Sequence, residues 1–112
     1  MTLQFDPSRL DELAADAPAL VSELVSLFTD DVAARLLRLR EAVERGDVES
    51  TKRTAHGIKG AATNIGAAGL ATLAEALEYA EAEITPQVST ERMEAEFRAV
   101  SSLLVERYGD RP

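Results

Sequence analysis

Nearly every segment of this sequence places its apolar residues three and four positions apart, and no stretch alternates apolar and polar residues long enough to suggest a sheet. Such spacing lays the apolar side chains along one face of a helix, and a face of that kind must be buried against another helix. Between about Pro18 and Arg45 the stripe runs through Val21, Val25, Phe28, Val32, Leu36, Leu39 and Val43. Val48, Thr51, Ala55, Ile58, Ala62 and Ile65 form a second stripe, and Leu70, Leu73, Leu77, Ala80 and Ile84 a third. Met93, Phe97, Val100, Leu104 and Tyr108 form a fourth. The punctuation agrees with these bounds. Asp6-Pro7 opens a short N-terminal helix, with Phe5 and Leu10 placed as a hydrophobic staple. Gly46 closes the next helix and Asp47 caps the one after it. Gly66 and Gly69 bracket a break, and Gly66 is read as a helix terminator. Thr85-Pro86 stops the third stripe, Ser89 or Thr90 caps the last helix after a polar loop at 85–90, and Gly109 ends it. The predicted fold is all-α: an antiparallel up-down-up-down four-helix bundle with a short additional N-terminal helix packed over one end.

At 112 residues the chain has room for one core, so we read 1–112 as one domain with its core at about 5–108. The absence of cysteine excludes disulfides, zinc–thiolate sites and thiol chemistry, and one histidine cannot build a multi-histidine metal site. No apolar run approaches the roughly 18 residues that would span a bilayer. A net charge of −8 argues against nucleic acid and anionic membranes as partners, and 4% aromatics with no tryptophan against base stacking. Charge is unevenly spread. Residues 47–66 alone are net positive, and they surround the only histidine, His56.

His56 follows the inward-facing Ala55 by one residue, about 100° round the helix, and therefore points out of the bundle or along its flank. Residues three and four away share its face: Lys52 and Arg53 before it, Lys59 and Gly60 after it, with Thr63 one turn further. A neutral imidazole offers a lone pair for nucleophilic attack on phosphorus, and neighbouring cations stabilise the phosphoryl group once it is attached. Gly60 weakens the helix by about 1 kcal/mol relative to alanine. In return it leaves the imidazole uncovered for a partner's active site, and the small Gly57, Ala61 and Thr63 widen the opening.

The stretch Lys52-Arg53-Thr54-Ala55-His56-Gly57-Ile58-Lys59-Gly60-Ala61-Ala62-Thr63-Asn64-Ile65-Gly66-Ala67 closely resembles the signature of histidine-containing phosphotransfer (HPt) domains. Gly46-Asp47 before it and the Leu-rich helix ending in Leu77-Glu78 after it also look like that family, over essentially residues 5–108. The resemblance implies His56 as the phosphorylated residue, Lys59 as a contact to the phosphoryl oxygens and Gly60 as the access point for the partner. Arg53 and Lys52 would add supporting positive charge. Gly57 departs from the pattern, since a larger residue such as Ser or Thr often follows the histidine. The resemblance further implies a cytoplasmic phosphoryl carrier without kinase activity of its own. Its partners would be response-regulator receiver domains and a hybrid sensor histidine kinase.

The residues leave much of the chemistry to that partner. There is no glycine-rich phosphate loop and no acidic pair beside His56 to hold magnesium, the nearest acids on the helix being Asp47 and Glu49, so the receiver is expected to bring the aspartyl phosphate and Mg2+, and this chain no cofactor. In an antiparallel bundle the residues of the preceding helix level with His56 are about 33–37. Ala33, Ala34 and Leu37 there form a candidate apolar docking rim, or Leu37 widens the core. A closed bundle needs no second subunit, so a monomer is expected. Two other function classes compete. A non-catalytic module that sequesters a regulator would not need the imidazole. A hydrolase with His56 as general base would need a carboxylate at i±3 or i±4 to orient the ring, and none is there.

Overall fold

The computed structural model describes residues 4–79 and 86–109. All the regular structure among them is helical: α1 (Ser8–Asp16), α2 (Pro18–Arg45), α3 (Val48–Ile65), α4 (Ala68–Glu78) and α5 (Pro86–Tyr108). Helices α2 to α5 pack each on the next in chain order, α5 closes back on α2, and α1 lies against α2.

The stripes read from the sequence are the core. Val21, Val25, Phe28, Val32, Leu36 and Leu39 from α2 meet Ala55, Ile58, Ala62 and Ile65 from α3, Leu70 and Leu77 from α4, and Met93, Val100 and Leu104 from α5. Two ends of the pattern differ from expectation. On α2 the last buried residue is Ala42, with Val43 only half-buried, because a 3.6-residue turn drifts off a fixed 3-4 stripe over 28 residues. Val48 is 65% exposed, since it is the first residue of α3 and sits beyond the reach of its neighbours.

The predicted punctuation holds at four places. Asp6 accepts hydrogen bonds from the Ser8 amide (3.0 Å) and hydroxyl (2.6 Å) at the start of α1. Gly46 closes α2 at φ +68°, Asp47 accepts from the Ser50 amide at 3.0 Å to cap α3, and Gly66 ends α3 at φ +86°. Gly66 and Gly69 bracket the break between α3 and α4, as expected, with Gly69 the second residue of α4. The Gly69 amide donates to the Gln4 carbonyl at 3.0 Å, while the Asp6 amide donates to the Gly66 carbonyl at 2.9 Å. The N-terminal segment is thereby stitched to the α3–α4 turn. A Cβ on Gly66 would strike the Asp6 carbonyl oxygen, so glycine is required there twice over.

The start of α5 also differs. The helix begins at Pro86, whose fixed φ and missing N–H suit a first helical position. Ser89 and Thr90 are therefore inside it and not at its cap, and the Thr90 hydroxyl donates back to the Pro86 carbonyl at 2.8 Å. α4 stops at Glu78, and Ala80 and Ile84 of the expected stripe lie outside the described residues. At the other end of α5, Arg107 and the Tyr108 hydroxyl (2.6 Å) both donate to the Asp11 carboxylate and tie α5 to α1.

Leu39 is fully buried on α2, whereas Leu37 on the same helix is 61% exposed. Leu39→Ala is expected to lower the unfolding free energy by about 2–5 kcal/mol. Leu37→Ala should leave it within about 0.5 kcal/mol. Urea denaturation of both variants checks the assignment of the core face.

Candidate functional site

Ala55 and Ile58 are fully buried, and this fixes the rotation of α3 so that His56 stands on its outer ridge with a side chain 66% exposed. Gly60, Thr63, Lys52 and Arg53 share this exposed face. A Cβ at Gly60 would meet nothing within 4 Å among the described residues, so none of them requires glycine there and the space they leave above it is open.

The contact that organises the site comes from α4. Glu78, its last residue, places Oε2 at 2.5 Å from His56 Nδ1 and Oε1 at 3.1 Å from Lys59 Nζ. Lys59 also lies 5.3 Å from the centre of the exposed Tyr79 ring, a cation–π distance. Burial would push the Glu78 carboxyl up, but hydrogen bonds from Lys59 and His56 outweigh it and hold the group below the ordinary carboxylate range. The Glu78 bond in turn holds the Lys59 ammonium above its usual range, against the opposing effect of desolvation. An ionised carboxylate can only accept, so the proton of a neutral His56 ring sits on Nδ1 and Nε2 keeps its lone pair. An exposed imidazole with a held Nδ1 proton is a nucleophile at Nε2, and the carboxylate balances the positive charge the ring gains once a group is attached there.

Reasoning from the sequence missed Glu78 because it looked for a carboxylate only at i±3 and i±4 on His56's own helix. The signal was present. Gly66 folds α3 against α4, and residues 56 and 78 lie at similar distances either side of it. It also missed Arg35, whose guanidinium lies over Gly57, the residue next to His56.

The predicted level of α2 agrees with this contact, since Arg35 falls within 33–37. The proposed rim does not gather at His56. Ala33 and Leu37 line a groove with Arg40, Glu94, Phe97 and Arg98 on the α5 side of α2, where Arg40 pairs with Glu94, and Ala34 is exposed on the same helix. A larger apolar groove of ≈ 500 Å³ lies between α1, α2 and α3, lined by Leu13, Leu24, Leu27, Ala61 and Asn64 with Arg9 and Asp31 at its edges. Its α3 wall begins on the turn after His56. No described helix is long and apolar enough to cross a membrane.

These features can be set beside known proteins. No curated protein matches the chain. Among solved structures, the crystal structure of histidine-containing phosphotransfer protein B (HptB) from Pseudomonas aeruginosa PAO1 is similar, with a TM-score of 0.81, 29% sequence identity and 96% of each chain covered. The family model of the Hpt domain matches residues 23–103, which span all of α3 and α4 and most of α2 and α5. With its exposed histidine on the third helix of an all-helical fold, the chain belongs to the Hpt domain family, whose role is histidine phosphotransfer in two-component phosphorelays.

Proposed function

We propose that this protein is a phosphorelay intermediate in which His56 accepts a phosphoryl group from a receiver-domain aspartyl phosphate and passes it to a response-regulator aspartate. The observation that carries this reading is the exposed imidazole of His56, with open space above Gly60 and Nδ1 held by Glu78, on a helix that lies wholly within the Hpt match. In the forward step the Nε2 lone pair forms the N–P bond as the acyl O–P bond breaks, through a loose, metaphosphate-like transition state. The receiver's carboxylate leaves, and the Nδ1 proton stays on the ring, facing Glu78. The product ring is a cation bearing a phosphoryl dianion, so charge is conserved. Return of the group to another aspartate is the same step reversed.

Lys59 approaches from the α4 side and contributes charge toward the phosphoryl oxygens, while Lys52 and Arg53 add to the field from the preceding turn. Gly60 and Thr63 leave room for the receiver. The partner supplies Mg2+ and the aspartate. The antiparallel up-down-up-down order of α2 to α5 is supported by level pairs such as Arg35 with Gly57 and Arg40 with Glu94. For docking, the α1–α2–α3 groove fits better than the Ala33–Leu37 rim, because it shares α3 with His56 and exposes Leu27. A hybrid sensor kinase as donor, work in the cytoplasm and a monomeric carrier complete the reading.

Incubation with a receiver domain phosphorylated with labelled phosphate is expected to move label to the wild type and not to His56→Gln; equal labelling of the variant overturns the assignment. Glu78→Gln keeps the size of the side chain and loses its charge, so transfer should slow about tenfold, the scale of one hydrogen bond to a charged group. Because the folded value of Glu78 is depressed, its stabilising contribution is present above the ordinary carboxyl value and is lost only as pH falls through the lower folded one. A carbon-detected NMR titration should therefore place the Glu78 midpoint below about 4.3, and a midpoint above it contradicts the pairing.

A further inference from the structure

Gly57 follows the histidine in the middle of an 18-residue helix, where glycine is less favourable than alanine. The reason lies across the interface with α2. An ideal Cβ on Gly57 would stand 3.1 Å from Arg35 Cζ and would collide with Arg35 Nη1, so the guanidinium fills the volume a side chain would take. Gly60 differs, since its missing side chain opens onto empty space. Arg35 Nε donates to Asp31 Oδ2 at 2.8 Å, one turn earlier on α2, and this bond steers the terminal nitrogens across α3 instead of outward.

At 100° per residue, positions 57 and 59 lie on opposite flanks of His56. Lys59 reaches the site from the α4 side and is engaged by Glu78 and Tyr79. Arg35 lies over Gly57, the residue beside His56, from the α2 side, and its bond to Asp31 uses Nε, leaving the Nη donors unspent on that bond. A guanidinium presents a planar fork of donors that matches phosphoryl oxygens.

We propose that Arg35, seated over Gly57, is a phosphoryl-contacting residue of this site: its Nη groups donate to the non-bridging oxygens of the group carried on His56. The proposal rests on His56 as the acceptor. Arg35 forms and breaks no covalent bond and moves no proton. It stabilises the dianion from the flank opposite Lys59, and Gly57 is the seat that lets it cross the helix.

The test uses phosphoramidate as donor, because this small molecule has no docking surface and a residue acting only in partner binding leaves its reaction unchanged. In that reaction the donor's P–N bond breaks, ammonia leaves and the His56 N–P bond forms. Initial rates of phosphohistidine formation and the lifetime of the product are followed by phosphorus NMR for wild type, Arg35→Gln, Arg35→Lys, Gly57→Ala, Arg35→Gln/Gly57→Ala and His56→Gln. Circular dichroism verifies the helical content of each variant. Arg35→Gln should slow formation about tenfold, the loss of one charge-assisted hydrogen bond, and shorten the product's lifetime. Arg35→Lys should restore part of the rate. Gly57→Ala should raise the melting temperature yet slow phosphorylation, because its methyl displaces the guanidinium, and it should add no further loss in the Arg35→Gln background. Wild-type rate and lifetime in folded Arg35→Gln overturn the role of Arg35, and wild-type phosphorylation in Gly57→Ala overturns the seat. Phosphorylation of His56→Gln would instead overturn the reading of His56 itself.

Discussion

One carboxylate, Glu78, joins the imidazole of His56 to the ammonium of Lys59. Everything chemical about the site follows from where its charge sits. Because the contacts from Lys59 and His56 keep the group ionised against its burial, one ring nitrogen is committed as a donor and the other keeps the lone pair that the proposed transfer would use. The same bond orients a ring that would otherwise rotate freely in water. Helix α4 is short, and it ends at the residue that does this, so the length of α4 is part of the site's geometry.

The scaffold serves that contact by controlling rotation. Ala55 and Ile58 lock α3 against the core, Gly66 turns the chain, and α4 returns alongside with Glu78 facing back across the turn. A slip of one residue in either helix would swing its side chain by about 100° and separate the pair. Long-range packing thus fixes a distance of a few ångströms between an exposed imidazole and a largely buried carboxylate.

The fold was legible in the sequence because apolar spacing reports directly on which face of a helix is buried. Val21 through Leu39, Thr51 through Ile65 and Met93 through Leu104 all read correctly. Pro86 was misread as a stop because a proline that cannot continue one helix is equally suited to begin another, and the six residues before it left the choice open. The exposed face of α3 was legible too, since it is a matter of one helix. Glu78 and Arg35 were not sought where they lie, because each arrives from a different helix and periodicity within one helix carries no information about what stands across from it. Gly57 held the only local hint of Arg35: a residue without a side chain at an interface position. The docking rim at Ala33 and Leu37 failed to gather at His56 for a related reason. The level along α2 was right, but the side of the helix was not, and Arg35 holds the side that meets α3.

Two main-chain hydrogen bonds stitch the N-terminal segment to the α3–α4 turn, the Asp6 amide on the Gly66 carbonyl and the Gly69 amide on the Gln4 carbonyl, with the Phe5 ring packed beside them. Such bonds are blind to side-chain identity. A change of side chain at Gln4 would thus leave its bond in place, whereas Gly66, whose backbone angle and crowded surroundings admit no substitute, could not change without breaking the strap.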